Sequence, residues 1–238
     1  MEAPSLRDQP PFPIWLWLAL VFSAWTVMHG LHQALLVTGP AVNPEVTLLG
    51  WTAAKLIAWM LPTAILVWRR AGPSSLRWLG LSTNKGLHVA LLWSGAWIAL
   101  QELGTRLRWP LFERPAPDLA VSHLVGALAI APLFEEVMFR GAMLRALRER
   151  GVRREQAVLA SSLAFAALHL PGWFARRGLD PSLLGSFAGI AVFGLVLGSL
   201  AWRTTSLWAP VALHLANNLL STGALGWLMR TACASYRG

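Results

Sequence analysis

Seven apolar runs, at about 14–38, 46–67, 87–107, 119–147, 157–170, 183–201 and 207–229, take up most of this 238-residue chain. A helix rises about 1.5 Å per residue, so roughly twenty apolar residues cross a bilayer core. The expectation is therefore all-α: a polytopic transmembrane helical bundle of about seven to eight spans, in one integral membrane domain covering 1–238. The turn signals Gly39-Pro40, Gly72-Pro73, Pro115 to Pro117, Pro171-Gly172 and Asp180-Pro181 fall between runs, and no internal repeat is visible.

A net charge of +9 would suit nucleic acid, but the arginines lie between runs as loop anchors and form no basic face. Trp15, Trp17, Trp51, Trp68, Trp78, Trp109, Trp173, Trp202, Trp208 and Trp227 lie near run ends, where interfacial anchoring explains them. They are not interleaved with basic residues as a base-stacking platform would be, so no nucleic-acid partner is expected. The single cysteine, Cys233, excludes an intrachain disulfide. The first run lacks a basic n-region and a small-x-small exit, and reads as a span rather than a cleaved signal. Arg69, Arg70, Arg77 and Lys85 in the second loop, and Arg145, Arg148, Arg150, Arg153 and Arg154 around the fourth, place the N-terminus in the cytoplasm. Arg106, Arg108, Arg114, Arg176 and Arg177 in the odd loops weigh the other way.

The stretch LFEEVMFRG, 133–141, puts two carboxylates and an arginine inside the fourth run. Each charge at a bilayer centre costs about 2.5–3.5 kcal/mol, so the default reading is functional. Glu136 and Arg140 share a helix face, which pairs them; Glu135 points about 100° away and is left to act as a general base. A buried ion pair that only locks two helices is the plainer reading.

Three further places hold polar groups in apolar runs. His169 lies about as far after the Gly151 to Arg153 turn as Glu135 lies before it, so two antiparallel helices bring them to one depth, where they can polarise a water. His214 and Asn218, one turn apart, supply N–H donors suited to an oxyanion, or serve as interhelical hydrogen-bond glue; Asn217 reads as packing. Lys55 reads as a lysine that snorkels to the interface, and Glu102 lies close to a run end. HExxH, GxSG and GxGD are absent, which removes three other kinds of membrane protease. Glu135, His169 and His214 could still ligate a divalent metal such as zinc.

EExxxR (Glu135, Glu136, Arg140), FxxxH (Phe165, His169) and HxxxN (His214, Asn218), in that order on successive runs, resemble the CPBP family of intramembrane proteases. That family includes the eukaryotic CAAX prenyl endopeptidase and bacterial Abi-type proteins. The stretch GLVLGSLAWRTTSLWAPVALHLANN, 194–218, is similar to the family's last motif region, and the resemblance covers about 121–226, the expected catalytic core.

The resemblance implies glutamate-dependent peptide hydrolysis within the membrane, with no cofactor. Glu135 resembles the base that activates water, assisted by His169. His214 and Asn218 resemble the oxyanion stabilisers, and Glu136, Arg140 and Phe165 the supporting residues. A divalent metal stays open as the alternative. The implied partner is a membrane-tethered protein, with a prenylated end or a C-terminal sorting tail of the kind handled by relatives resembling myxosortase; a bacteriocin-immunity or regulatory role is a third option. High Arg, Ala and Trp content suggests a bacterial genome, and so the inner (cell) membrane. Two other classes remain: a non-catalytic membrane scaffold or immunity protein, which would not depend on Glu135, and a proton-coupled transporter, which should show repeat symmetry.

Overall fold

The computed structural model describes residues 11–38, 44–107 and 125–222. Among these the chain is all-α, with seven helices. Four are long and apolar enough to cross a membrane: Ile14–Leu35, Val46–Leu79, Arg154–Arg177 and Ser182–Thr204. The chain thus carries several candidate transmembrane helices, as an integral membrane protein does. The Gly39-Pro40 and Pro115 to Pro117 turns, Arg108, Trp109, Arg114, Trp227, Cys233 and the ends of the fourth and seventh runs lie outside the described residues.

The first helix is α1 (Ile14–Thr38). The second joins α2 (Pro44–Lys55), the widened turn π1 (Leu56–Met60) and α3 (Leu61–Ala71), then passes through Gly72–Ser74 into α4 (Ser75–Leu79). The third is α5 (Leu87–Arg106). The fourth joins π2 (Gly126–Ile130), α6 (Ala131–Glu136), π3 (Val137–Met143) and α7 (Leu144–Glu149). The fifth is α8 (Arg154–Ala167) with α9 (Leu170–Arg177); α10 (Ser182–Thr204) and α11 (Trp208–Ser221) complete the set.

Two of the widened turns have a local cause. Pro62 and Pro132 lack an N–H and crowd the carbonyl four residues back, so the turn before each opens. There Leu61 N–H reaches Leu56 O, and Ala131 N–H reaches Gly126 O. The third, π3, follows the two glutamates, carries Arg140 and has no proline. The fifth run, expected to be short, belongs to a helix of 24 residues because Pro171 sits in the first turn of α9, where a missing N–H costs nothing.

Small residues let α8 and α10 approach closely. A Cβ on Gly194 would lie 3.0 Å from Ser162 Cβ, and one on Gly198 3.1 Å from Val158 Cγ1. The core gathers Trp17, Val21, Met138, Phe139, Leu197 and Leu213, while Leu16, Leu20, Val27 and Leu31 on α1 and Leu91 and Leu92 on α5 face outward, as lipid contact requires. Two tryptophans expected at an interface are buried instead. Trp17 Nε1 donates to Thr63 Oγ1 at 2.8 Å and Trp78 Nε1 to Glu149 Oε1 at 2.6 Å, because a buried indole N–H needs an acceptor. Glu149 also accepts from Arg70 Nε at 2.9 Å, which ties α3 and α4 to the end of α7.

The turn before α11 is fixed from both sides. Thr205 adopts φ 54°, Arg145 donates to its carbonyl, Ser206 Oγ donates to Thr83 O at 2.7 Å, and Leu207 N–H donates to Gly80 O at 3.0 Å. Gly80 sits at φ +82°, and a Cβ there would collide with Arg145 Nη2. These bonds set where α11 starts, and so where its polar face lies.

Candidate active site

Glu136 and Arg140 lie one turn apart across the α6–π3 junction and are both buried, at 0% and 1% exposure. Arg140 Nη1 donates to Glu136 Oε1 at 3.1 Å and Nη2 to Gly194 O at 3.1 Å, and the guanidinium lies 4.3 Å over the Phe165 ring. Planar geometry suits this double role of donor and stacking face. Arg140 Nε and Glu136 Oε2 are buried with no hydrogen-bond partner among the described residues.

The same Glu136 oxygen receives His214 from α11, with Nδ1 at 2.9 Å. A carboxylate held by arginine can only accept, so Nδ1 carries the proton and Nε2 is the open edge of the ring. That edge faces Glu135, with Nε2 3.9 Å from Oε2. The gap is too long for a hydrogen bond and short enough for one oxygen to touch both atoms. Phe165 and Phe193 hold the His214 ring edge-to-face, at 5.8 and 5.5 Å between centroids.

His169 lies at the α8–α9 junction, its ring 5.3 Å from Phe165. Its Nδ1 donates to Phe165 O at 3.0 Å, again leaving Nε2 as the acceptor edge. No hydrogen bond or ion pair joins His169 to Glu135, though the carboxylate is within electrostatic reach. The sequence paired these two directly; the nearer imidazole is His214, because the helix break after Ala167 spends the His169 N–H on its own backbone. Phe165, singled out only as part of a motif, is the aromatic centre on which Arg140, His169 and His214 all rest.

Asn218 is held through its neighbour. Trp97 Nε1 and Gln101 Nε2, both from α5, donate to Asn217 Oδ1 at 3.0 and 2.8 Å. An indole N–H can only donate, so this fixes which end of the Asn217 amide faces α5. The other end donates to Asn218 Oδ1 at 3.2 Å, and that turns the Asn218 N–H₂ edge away from Asn217. Asn217 is therefore part of a polar relay rather than packing. Reading the sequence missed Trp97 and Gln101, although Gln101 stands beside the Glu102 it did single out.

Lys55 also departs from expectation. It is half-buried, and its ammonium lies 5.0 Å over the Trp59 ring, within electrostatic reach of Glu135. Among the described residues no three His, Cys, Asp or Glu side chains are grouped as a metal site would need.

The family model for type II CAAX prenyl endopeptidase Rce1-like proteins matches residues 117–220, a stretch that contains Glu135, Glu136, Arg140, Phe165, His169, His214, Asn217 and Asn218. Lys55, Trp97 and Gln101 lie outside it. No curated protein and no solved structure matches the chain.

Proposed function

Since residues 117–220 are an Rce1-like type II CAAX prenyl endopeptidase family domain, which implies a peptidase acting on protein, we propose that this chain is an intramembrane endopeptidase. It hydrolyses a peptide bond near the membrane-anchored or C-terminal end of its substrate. The reading extends to a bundle of seven to eight spans in one domain of a bacterial cell membrane, with a cytoplasmic N-terminus. One observation carries the chemistry: a carboxylate oxygen and an imidazole edge face each other at 3.9 Å, the imidazole already tied to a buried ion pair.

In the proposed reaction Glu135 takes one proton from a water whose other O–H stays intact and donates a hydrogen bond to His169 Nε2. The hydroxide adds to the scissile carbonyl carbon, and the resulting oxyanion accepts from His214 Nε2–H and the Asn218 amide. Since Nδ1 is committed to Glu136, the His214 donor requires the imidazolium form. Glu135 then passes its proton to the amine nitrogen as the C–N bond breaks, which returns the carboxylate. No cofactor enters these steps; with a divalent metal as the alternative, Glu135, His169 and His214 would be its ligands.

The test is cleavage of a membrane-tethered reporter library by purified protein in lipid, with and without chelator. Tethered reporters are expected to be cut at least about 10-fold faster than the same peptides without their apolar tail, since the bilayer supplies effective concentration. Chelator should change nothing. Binding without cleavage would favour a scaffold, and chelator-sensitive cleavage would favour the metal.

The relay carries its own prediction. Asn217→Ala is expected to lower kcat about 10-fold at unchanged KM, the size of a misaimed oxyanion donor. In an Asn218→Ala background it should add nothing; a full further loss there would reassign Asn217 to packing.

A further inference from the structure

The helix that carries His169 is interrupted between α8 and α9, so the place of its ring depends on what holds α9. Within α9 the hold is local: Trp173 N–H donates to the His169 carbonyl at 3.1 Å, and the two rings lie 5.5 Å apart. The second support comes from α1.

His29, on α1, lies against Gly172 in the first turn of α9. A Cβ on Gly172 would come within 2.9 Å of His29 Cε1 and 3.1 Å of Nε2, closer than a Cβ and a ring atom can pack, so only glycine admits the ring here. The ring has little room to yield. Trp25 of α1 meets it edge-on at 4.7 Å between centroids, and Trp51 of α2 lies at 4.8 Å. Those two tryptophans are 5.3 Å from each other, and Trp25 lies 4.3 Å from Trp59 of π1. Tilted and edge contacts are the ones aromatic rings prefer, so this wall fixes the imidazole in place.

α9 therefore docks on α1 and α2 through a buried glycine that is one residue from Trp173 and three from His169. A helical turn is stiff over that span, and a packed contact transmits a shift rather than absorbing it. The tilt at which Gly172 meets His29 then sets Trp173 and the His169 ring beside it.

We propose that His29 is a positioning residue for His169: seated on Gly172, it holds α9 at the angle that turns His169 Nε2 to the reacting water. This rests on the peptidase mechanism above. His29 touches no reacting atom and exchanges no proton; it acts through the shape of the α1–α9 contact. It lies outside the family-matched stretch, so the proposal gives the N-terminal helices a part in the chemistry.

The experiment is a set of kinetic cycles in lipid with a tethered reporter: His29→Ala, Gly172→Ala and the pair, each in the native chain and in a His169→Ala background. His29→Ala removes the brace, and Gly172→Ala pushes α9 off it. Each is expected to lower kcat about 10-fold with KM unchanged, the scale of a side chain misplaced by under an ångström. Together they should lose no more than the larger single loss, because the new methyl group meets no ring once His29 is gone. In the His169→Ala background neither should lower kcat further, whereas a contact that only supports the fold would lower it there as well. Unfolding in detergent is followed for every variant; if Gly172→Ala alone does not fold, adding His29→Ala should restore the fold.

Losses that multiply in the pair would overturn the proposal, because the two residues would then not share a contact. So would an undiminished loss in the His169→Ala background, native kcat in both single variants, or a Gly172→Ala fold that His29→Ala does not restore. A raised KM at unchanged kcat would overturn it too, assigning the contact to substrate entry. In all these cases the inference fails alone. A His169→Ala chain that cuts at the native rate removes His169 from the mechanism and the inference with it, and a native chain that cuts no tethered reporter removes the peptidase reading as well.

Discussion

Glu135→Gln is expected to lower kcat by about 10²- to 10⁴-fold while KM and the fold stay as they are, the range for removing a positioned general base. The side chain is 6% exposed, and Gln has the same shape, so no cavity opens. Glu136 keeps its bonds to Arg140 and His214, so the ion pair that organises the site survives the change. What disappears is the ability to take a proton from water and return it to the leaving nitrogen. Single-turnover cleavage of a tethered reporter measures the loss, and unfolding in detergent checks that the protein is intact. A Gln variant that cuts at the native rate would remove Glu135 from the chemistry and with it the proposed mechanism. Glu136→Gln separates the two acids: its loss should appear in stability as well as in rate, because Arg140 would then be buried without its counter-ion.

The helices were legible because burial in lipid demands long apolar runs, and each expected run overlaps a described helix, four of them long and apolar enough to span a membrane. The Glu136–Arg140 pair was legible for a similar reason, since spacing of one turn fixes a shared face. Contacts between distant helices were not. Nothing in the spacing says that His214 from α11 lies nearer Glu135 than His169 does; that follows from where the turn at 203–208 starts α11 and where the fifth helix is interrupted between α8 and α9. Trp97 and Gln101 were missed, and Lys55 was read as turning to the interface, for another reason. Each is a single polar group in an apolar run, and one such group looks the same whether it turns to a headgroup or to a partner. Trp17 and Trp78 show the reverse error: a tryptophan near a run end can anchor at an interface or donate to a buried oxygen, and only the location of Thr63 and Glu149 decides.

Arg140→Met is expected to destabilise the protein by about 3–5 kcal/mol, the cost of stranding a buried charge, and to abolish cleavage as a consequence. The guanidinium makes three contacts at once: Glu136, the Gly194 carbonyl on α10, and the face of Phe165 on α8. Methionine fills much of the volume but leaves the Glu136 carboxylate, at 0% exposure, with only His214 as a donor among the described residues. Arg140→Lys should fall between, since an ammonium keeps the charge but cannot fork between Glu136 and Gly194 or stack flat on Phe165. The decisive comparison is Glu136→Gln/Arg140→Met. If the single variant suffers from a stranded carboxylate, removing that charge as well should recover a large part of the lost stability, giving a coupling of about 0.5–3 kcal/mol between two sites in contact. Denaturant unfolding in detergent for the native chain, both single variants and the double variant completes the cycle. Additive losses would mean that Arg140 contributes through Gly194 and Phe165 rather than through Glu136, and a single-variant loss under 1 kcal/mol would mean that the buried pair contributes little to the fold.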